Sequence, residues 1–135
     1  MQTLETITSP DGLFQLDIVD LGGELALFFE LTDAHTAKDP QAEGDWHAHA
    51  AMWADEPGMP KDDHERLRRV AAYLVIGPWL LQCDEYEDGR RSWDISNEPA
   101  EDAAISELMP DIVSTTFRTW DGDTVDPTSG PSSSA

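Results

Sequence analysis

Two stretches of alternation lie either side of Gly22-Gly23, and they limit the fold more than any other feature. In residues 13–19, Phe14, Leu16 and Ile18 share one side, with Gln15 and Asp17 opposite. In residues 24–32, Leu25, Leu27, Phe29 and Leu31 point one way, and Glu24 and Glu30 the other. A period of two is a strand with one buried face, and the glycine pair permits the positive φ of a tight reversal. Residues 3–8 are rich in β-branched side chains and read as a third strand, joined through the turn Ser9-Pro10-Asp11-Gly12. The result is a three-stranded antiparallel meander with one apolar and one acidic face. Phe28 breaks the pattern by falling on the acidic side.

The rest of the chain has to cover the apolar face. Residues 34–45, punctuated by Pro40 and Gly44, read as a loop, and alanine-rich 46–54 as a short helix capped by Asp45. Asp62 and Glu65 have capping-box spacing, and Leu67, Val70, Ala71 and Leu74 then form a helical stripe that Gly77-Pro78 ends. Residues 79–83 and 91–95 form a second hairpin over 79–95, turned at Asp88-Gly89. Ile105, Leu108, Met109, Ile112, Val113, Thr116, Phe117 and Trp120 follow helical spacing, interrupted by Pro110. That predicts a kinked helix or two abutting helices; the alternative is a strand over 112–120, because Val113, Thr115, Thr116, Phe117 and Thr119 favour one. The expected architecture is α+β: a meander packed against two to four helices, in one globular unit over 1–120, with an acidic, Ser-rich tail over 121–135.

Charge narrows the function. The chain has 28 acidic and 8 basic side chains, a net charge of −20. A fold of this mass exposes roughly 7,000 Å², about one uncompensated charge per 350 Å². Residues 1–45 hold ten acidic side chains and one basic, 46–76 five and four, and 77–135 thirteen and three. The two ends are anionic and the middle is nearly neutral. Such a surface disfavours direct binding of nucleic acid, which needs positive potential, and of anionic lipid. Residues 1–10 lack the basic and apolar regions of a signal peptide, and the longest apolar run, 70–81, is too short to span a bilayer. The single Cys83 forms no internal disulfide, so the cytoplasm is the default compartment.

No motif defines a reaction. His47-Ala48-His49, with His35 or His64, would chelate one ion only on a strand, and the alanine context favours helix. The run Asp121-Gly122-Asp123-Thr124-Val125-Asp126 starts like a calcium loop but lacks glycine at its sixth position and has Ser132 at its twelfth. Asp84 and Glu85 raise the pKa of Cys83 and disfavour its thiolate. Arg66, Arg68 and Arg69 form a basic cluster that reads as an exposed helix face, with Asp62–Arg66 and Glu65–Arg69 at i,i+4. No catalytic group, metal or cofactor is expected.

The acidity therefore points to a non-enzymatic binder of a basic protein. An inhibitor or DNA-mimic-like decoy in the groove of a nucleic-acid-handling protein fits best, as in phage-encoded nuclease inhibitors and immunity proteins. The expected contact residues are Asp17, Asp20, Glu24 and Glu30 on the meander, Asp84, Glu85, Glu87 and Asp88 at the hairpin, and Glu101, Asp102 and Glu107 near the C-terminal element. A competing reading is an accessory protein whose acid serves solubility in salt, and the weakest is an enzyme built on the histidines.

Overall fold

The computed structural model describes residues 1–127. The meander forms as its alternation dictates: β1 (Gln2–Thr8), β2 (Phe14–Asp20) and β3 (Leu25–Leu31). Leu16 lies between Ile7 and Phe29, and Ile18 pairs with Leu27. The first turn closes through Gly12 N–H donating to the Ser9 carbonyl at 2.9 Å. At the second, the Asp20 carboxylate accepts the Gly22 and Gly23 N–H groups at 2.8 and 3.2 Å, and both glycines have φ near +100°.

Residues 34–45 hold more structure than the expected loop. Thr32 caps a short helix, α1 (Asp33–Lys38), and β4 (Ala42–Gly44) follows. Residues 46–54 also depart from expectation. They form β5 (Trp46–His49) and a single 3-10 turn (Ala50–Trp53), so Asp45 caps no helix. The reason is non-local: β5 pairs with the free edge of β3, Phe28 opposite His47, and tertiary pairing overrides the weak helix preference of alanine. The first sheet runs β1-β2-β3-β5.

Helix α2 (Asp63–Val75) starts where its capping residues require, with Asp62 accepting the Glu65 N–H at 3.0 Å. Its stripe of Leu67, Val70, Ala71 and Leu74 is buried against β2 and β3. Strands β6 (Leu80–Tyr86) and β7 (Arg91–Ser96) make the expected hairpin, and β4 adds to β7 in parallel. The stretch with helical spacing is divided at Pro110. Helix α3 (Pro99–Glu107) precedes it, and β8 (Ile112–Arg118) takes the strand alternative by pairing with β6, Thr115 opposite Asp84. Pairing continues past Trp120, since β9 (Thr124–Val125) lies against β8. The remainder of the expected tail, 128–135, lies outside the described residues. The second sheet runs β4-β7-β6-β8-β9, which with the meander and three helices makes an α+β fold.

One core joins the sheets. The Phe14 ring lies 5.7 Å from Phe29 in its own sheet, 4.8 Å from Trp93 in the other, and 6.5 Å from Trp120. Among the described residues no helix is long and apolar enough to cross a membrane.

Candidate interaction surface

Most arginines are engaged within the fold. Arg66 does not sit on an exposed face: it is buried, donates to the carbonyls of Pro60, Lys61 and Ala50 at 3.0, 2.8 and 3.2 Å, and pairs with Asp63 at 2.8 Å. Its partner is therefore at i,i+3 and not the expected Asp62. Arg68, not Arg69, pairs with Glu65 at 2.6 Å, and it also reaches Glu5 at 2.8 Å. Arg91 makes a two-pronged bond to Asp39 at 2.5 and 2.6 Å, which holds the Asp39 carboxyl below the usual range. Arg118 pairs with Asp11 at 2.7 Å and lies over the Phe14 ring. Arg90 pairs with Asp88 at 2.9 Å. Among the described residues only Lys38, Lys61 and Arg69 make no ion pair through their side chains. Few cations remain to neutralise the other carboxylates.

The four meander acids do not form a row. Asp17, only 8% exposed, accepts the Thr6 hydroxyl at 2.7 Å and the Gln15 amide at 3.0 Å. Glu30 is exposed beside it, and partial burial together with the Asp17 charge pushes its carboxyl up. Asp20 has the parity of the core face and closes the glycine turn. Glu24 pairs with His49.

Strand alternation also divides the hairpin set. Asp84 turns toward α3, where it accepts Thr115 Oγ1 at 2.8 Å, Gln82 Nε2 at 3.2 Å and Ser106 Oγ at 3.4 Å. Glu85 faces the other way, in register with Arg91 and Ser114. Glu87 and Asp88 stand exposed at the hairpin tip, where Glu87 N–H donates to the Asp111 carbonyl at 3.0 Å.

On α3, Asp102 turns inward to accept Ser96 Oγ at 2.5 Å, whereas Glu101 and Glu107 are exposed. Glu98, absent from the expected set, stands beside Glu101, and a hydrogen bond between the two carboxyls, with the Glu98 charge behind it, pushes the Glu101 carboxyl up. A signal for it existed. Pro99 marks the first helical turn, so Glu98 and Glu101 are three apart on one face. Both border a groove of 810 Å³ whose other walls include Ile76, Pro78, Leu80 and Val125.

The candidates for other chemistry disperse. On β5 the His47 and His49 rings share a face, 5.3 Å apart, which corrects the expected helix. His47 stacks on Phe28, the residue out of pattern, and His49 meets Glu24. His35 is buried between Phe14 and Trp93, with Nδ1 3.0 Å from the Leu13 carbonyl, and His64 approaches Glu5 at 3.6 Å. Among the described residues no three His, Cys, Asp or Glu groups are arranged to hold a metal. Burial, reinforced by Asp84, pushes the Cys83 thiol up to about 11, which leaves it protonated at neutral pH. The calcium-like run includes the short turn from β8 into β9, where Thr119 N–H donates to the Asp123 carbonyl at 2.9 Å; Ser132 lies outside the described residues. No family model, curated protein or solved structure matches this chain.

Proposed function

We propose that this chain is a non-enzymatic acidic binding protein that docks on the basic groove of a nucleic-acid-handling protein as an inhibitor or decoy. The observation that carries the reading is that Glu98 and Glu101 border one apolar groove, and among the described residues no Lys or Arg forms an ion pair with either. Such a pair carries an electrostatic cost that a cationic partner removes, and the charge of −20 steers that partner in. Glu107 on α3 and Glu87 at the hairpin tip are exposed in the same half of the chain. The meander contributes less to the contact, because three of its four expected acids already hold internal donors.

The experiment is competition on a DNA nuclease with a cationic groove, followed by cleavage rate and by calorimetry. The expected result is a saturable complex that protects the DNA and weakens steeply as salt rises from about 50 to about 500 mM. If the nuclease cuts unhindered with the chain in excess and shows no saturable heat, the decoy reading falls and acidity for solubility takes its place.

A further inference from the structure

The groove between the end of α2 and the start of α3 needs an explanation that charge alone does not supply. Ile76 is 84% exposed at its wall, and Pro78, Leu80 and Val125 continue the apolar lining. Leaving such surface in water is unfavourable by about 25 cal/mol per Å². Of the carboxylates at its border, Glu101 shares the first turn of α3 with Asp102, which Ser96 fixes, and both complement the helix dipole. Glu98 makes no capping bond through its side chain.

We infer that this groove anchors one apolar side chain of a basic protein partner, with a flanking Lys or Arg of that partner set between Glu98 and Glu101. The inference rests on the acidic-binder reading and adds the place where the partner is gripped. The surface beyond the groove has the same mixed character. Four residues on from Glu101, Ile105 lies on the same face of α3, 50% exposed, and Leu108 follows just past the helix end, 82% exposed. An apolar centre with a charged border is the make-up of a protein interface, where one buried anchor supplies most of the binding energy. Two other occupants fit worse. A second copy would bring two chains of charge −20 together at their carboxylates. The chain's own residues 128–135, which follow Pro127 at the groove, contain no large apolar side chain to fill it.

The test uses the full chain, labelled with nitrogen-15, and two amidated peptides. One has four lysines around two phenylalanines; the other has serines in place of the phenylalanines. The phenylalanine peptide is expected to shift the amides of Gly77, Leu80, Glu101 and Val125, and to bind about tenfold more tightly than the serine peptide. Ile76→Ser, an uncharged change at an exposed position that leaves the rest of the spectrum in place, removes that advantage without changing the serine peptide. Glu98→Gln with Glu101→Gln weakens both peptides. Equal affinity for the two peptides, or no loss in Ile76→Ser, overturns the groove and leaves the acidic binder standing. If neither peptide binds in a salt-dependent way, the acidic-binder reading falls and the groove with it. Groove shifts that appear on concentrating the free chain would assign the site to a second copy. Phenylalanine-peptide binding at least about tenfold tighter after truncation at Pro127 would assign it to the tail; either result overturns the inference.

Discussion

In the first sheet three of the four expected carboxylates end on donors, Asp17 on Thr6 and Gln15, Asp20 on two glycine amides and Glu24 on His49, and only Glu30 lies beside another acid, Asp17. On α3, over the second sheet, Glu98 and Glu101 end on each other. Both halves are strongly acidic, yet one has absorbed most of its acid into the fold and the other presents it. Net charge is a sum over groups that are not equivalent. What decides whether a carboxylate is available is the presence of a hydroxyl, amide or guanidinium within about 3 Å. The exposed apolar side chains do not divide in this way: Met1, Leu4, Leu21 and Met52 belong to the earlier part of the chain, and Ile76, Ile105, Leu108, Met109 and Val113 to the later.

The largest effect is expected where the halves meet. Phe14→Ala removes a fully buried ring touching Phe29 and Trp93 and should cost about 3–5 kcal/mol in urea unfolding, with one transition retained. Two separate transitions would show that the sheets are independent units and would break the comparison. Arg66→Met strands three carbonyls near α2 and should cost about 2–3 kcal/mol, whereas Arg69→Met should change stability by less than about 0.5 kcal/mol. Equal losses in the two variants would mean that the buried contacts of Arg66 contribute nothing.

Within the second half, Asp84→Ala leaves Thr115 without its acceptor and Gln82 with only Ser106, and should lower stability by about 1–2 kcal/mol, while exposed Glu107→Gln should not. The reverse order would place the structural acid on the wrong side of α3.

The smallest effects are read against pH and have opposite signs. Arg91 lowers the Asp39 carboxyl below its ordinary 3.8, so the pair stabilises the fold above that value and the contribution disappears as pH falls through the lowered one. Asp39→Asn should therefore melt lower than the parent at pH 7, with the gap closing in acid. Glu98 raises the Glu101 carboxyl above its ordinary 4.5, so ionisation burdens the fold above the raised value and not below 4.5. Glu101→Gln should melt slightly higher than the parent at pH 7, and this gain should vanish below pH 4.5. A gain that persists in acid would show that repulsion is not its source.

Elements whose evidence is local were legible. The strands of the meander follow from alternation, α2 from Asp62, Glu65 and its four-residue stripe, and the second hairpin from Asp88-Gly89. Elements that exist by pairing were not. Trp46–His49 is a strand because β3 has a free edge, and Ala42–Gly44 because β7 does. Residues 105–120 satisfy the helical period by the placement of their apolar side chains, yet Pro110 removes an N–H and β6 offers β8 a ladder. For the proposed surface, the sequence reading included Glu101 and Glu107 but not Glu98. It also included Asp84 and Asp102, since nothing local distinguishes a carboxylate that faces hydroxyls from one that faces water.

By itself, the sequence determined the alternating faces, the long amphipathic helix, the turns and an acidity concentrated at the two ends of the chain. These depend on side-chain period, on φ and on charge count, all properties of neighbouring residues. Only the tertiary structure decided which strands complete the sheets, that Arg66 is buried, and that Glu98 and Glu101 share the border of an apolar groove. Those outcomes depend on hydrogen bonding and desolvation between groups far apart in the chain, which no local pattern encodes.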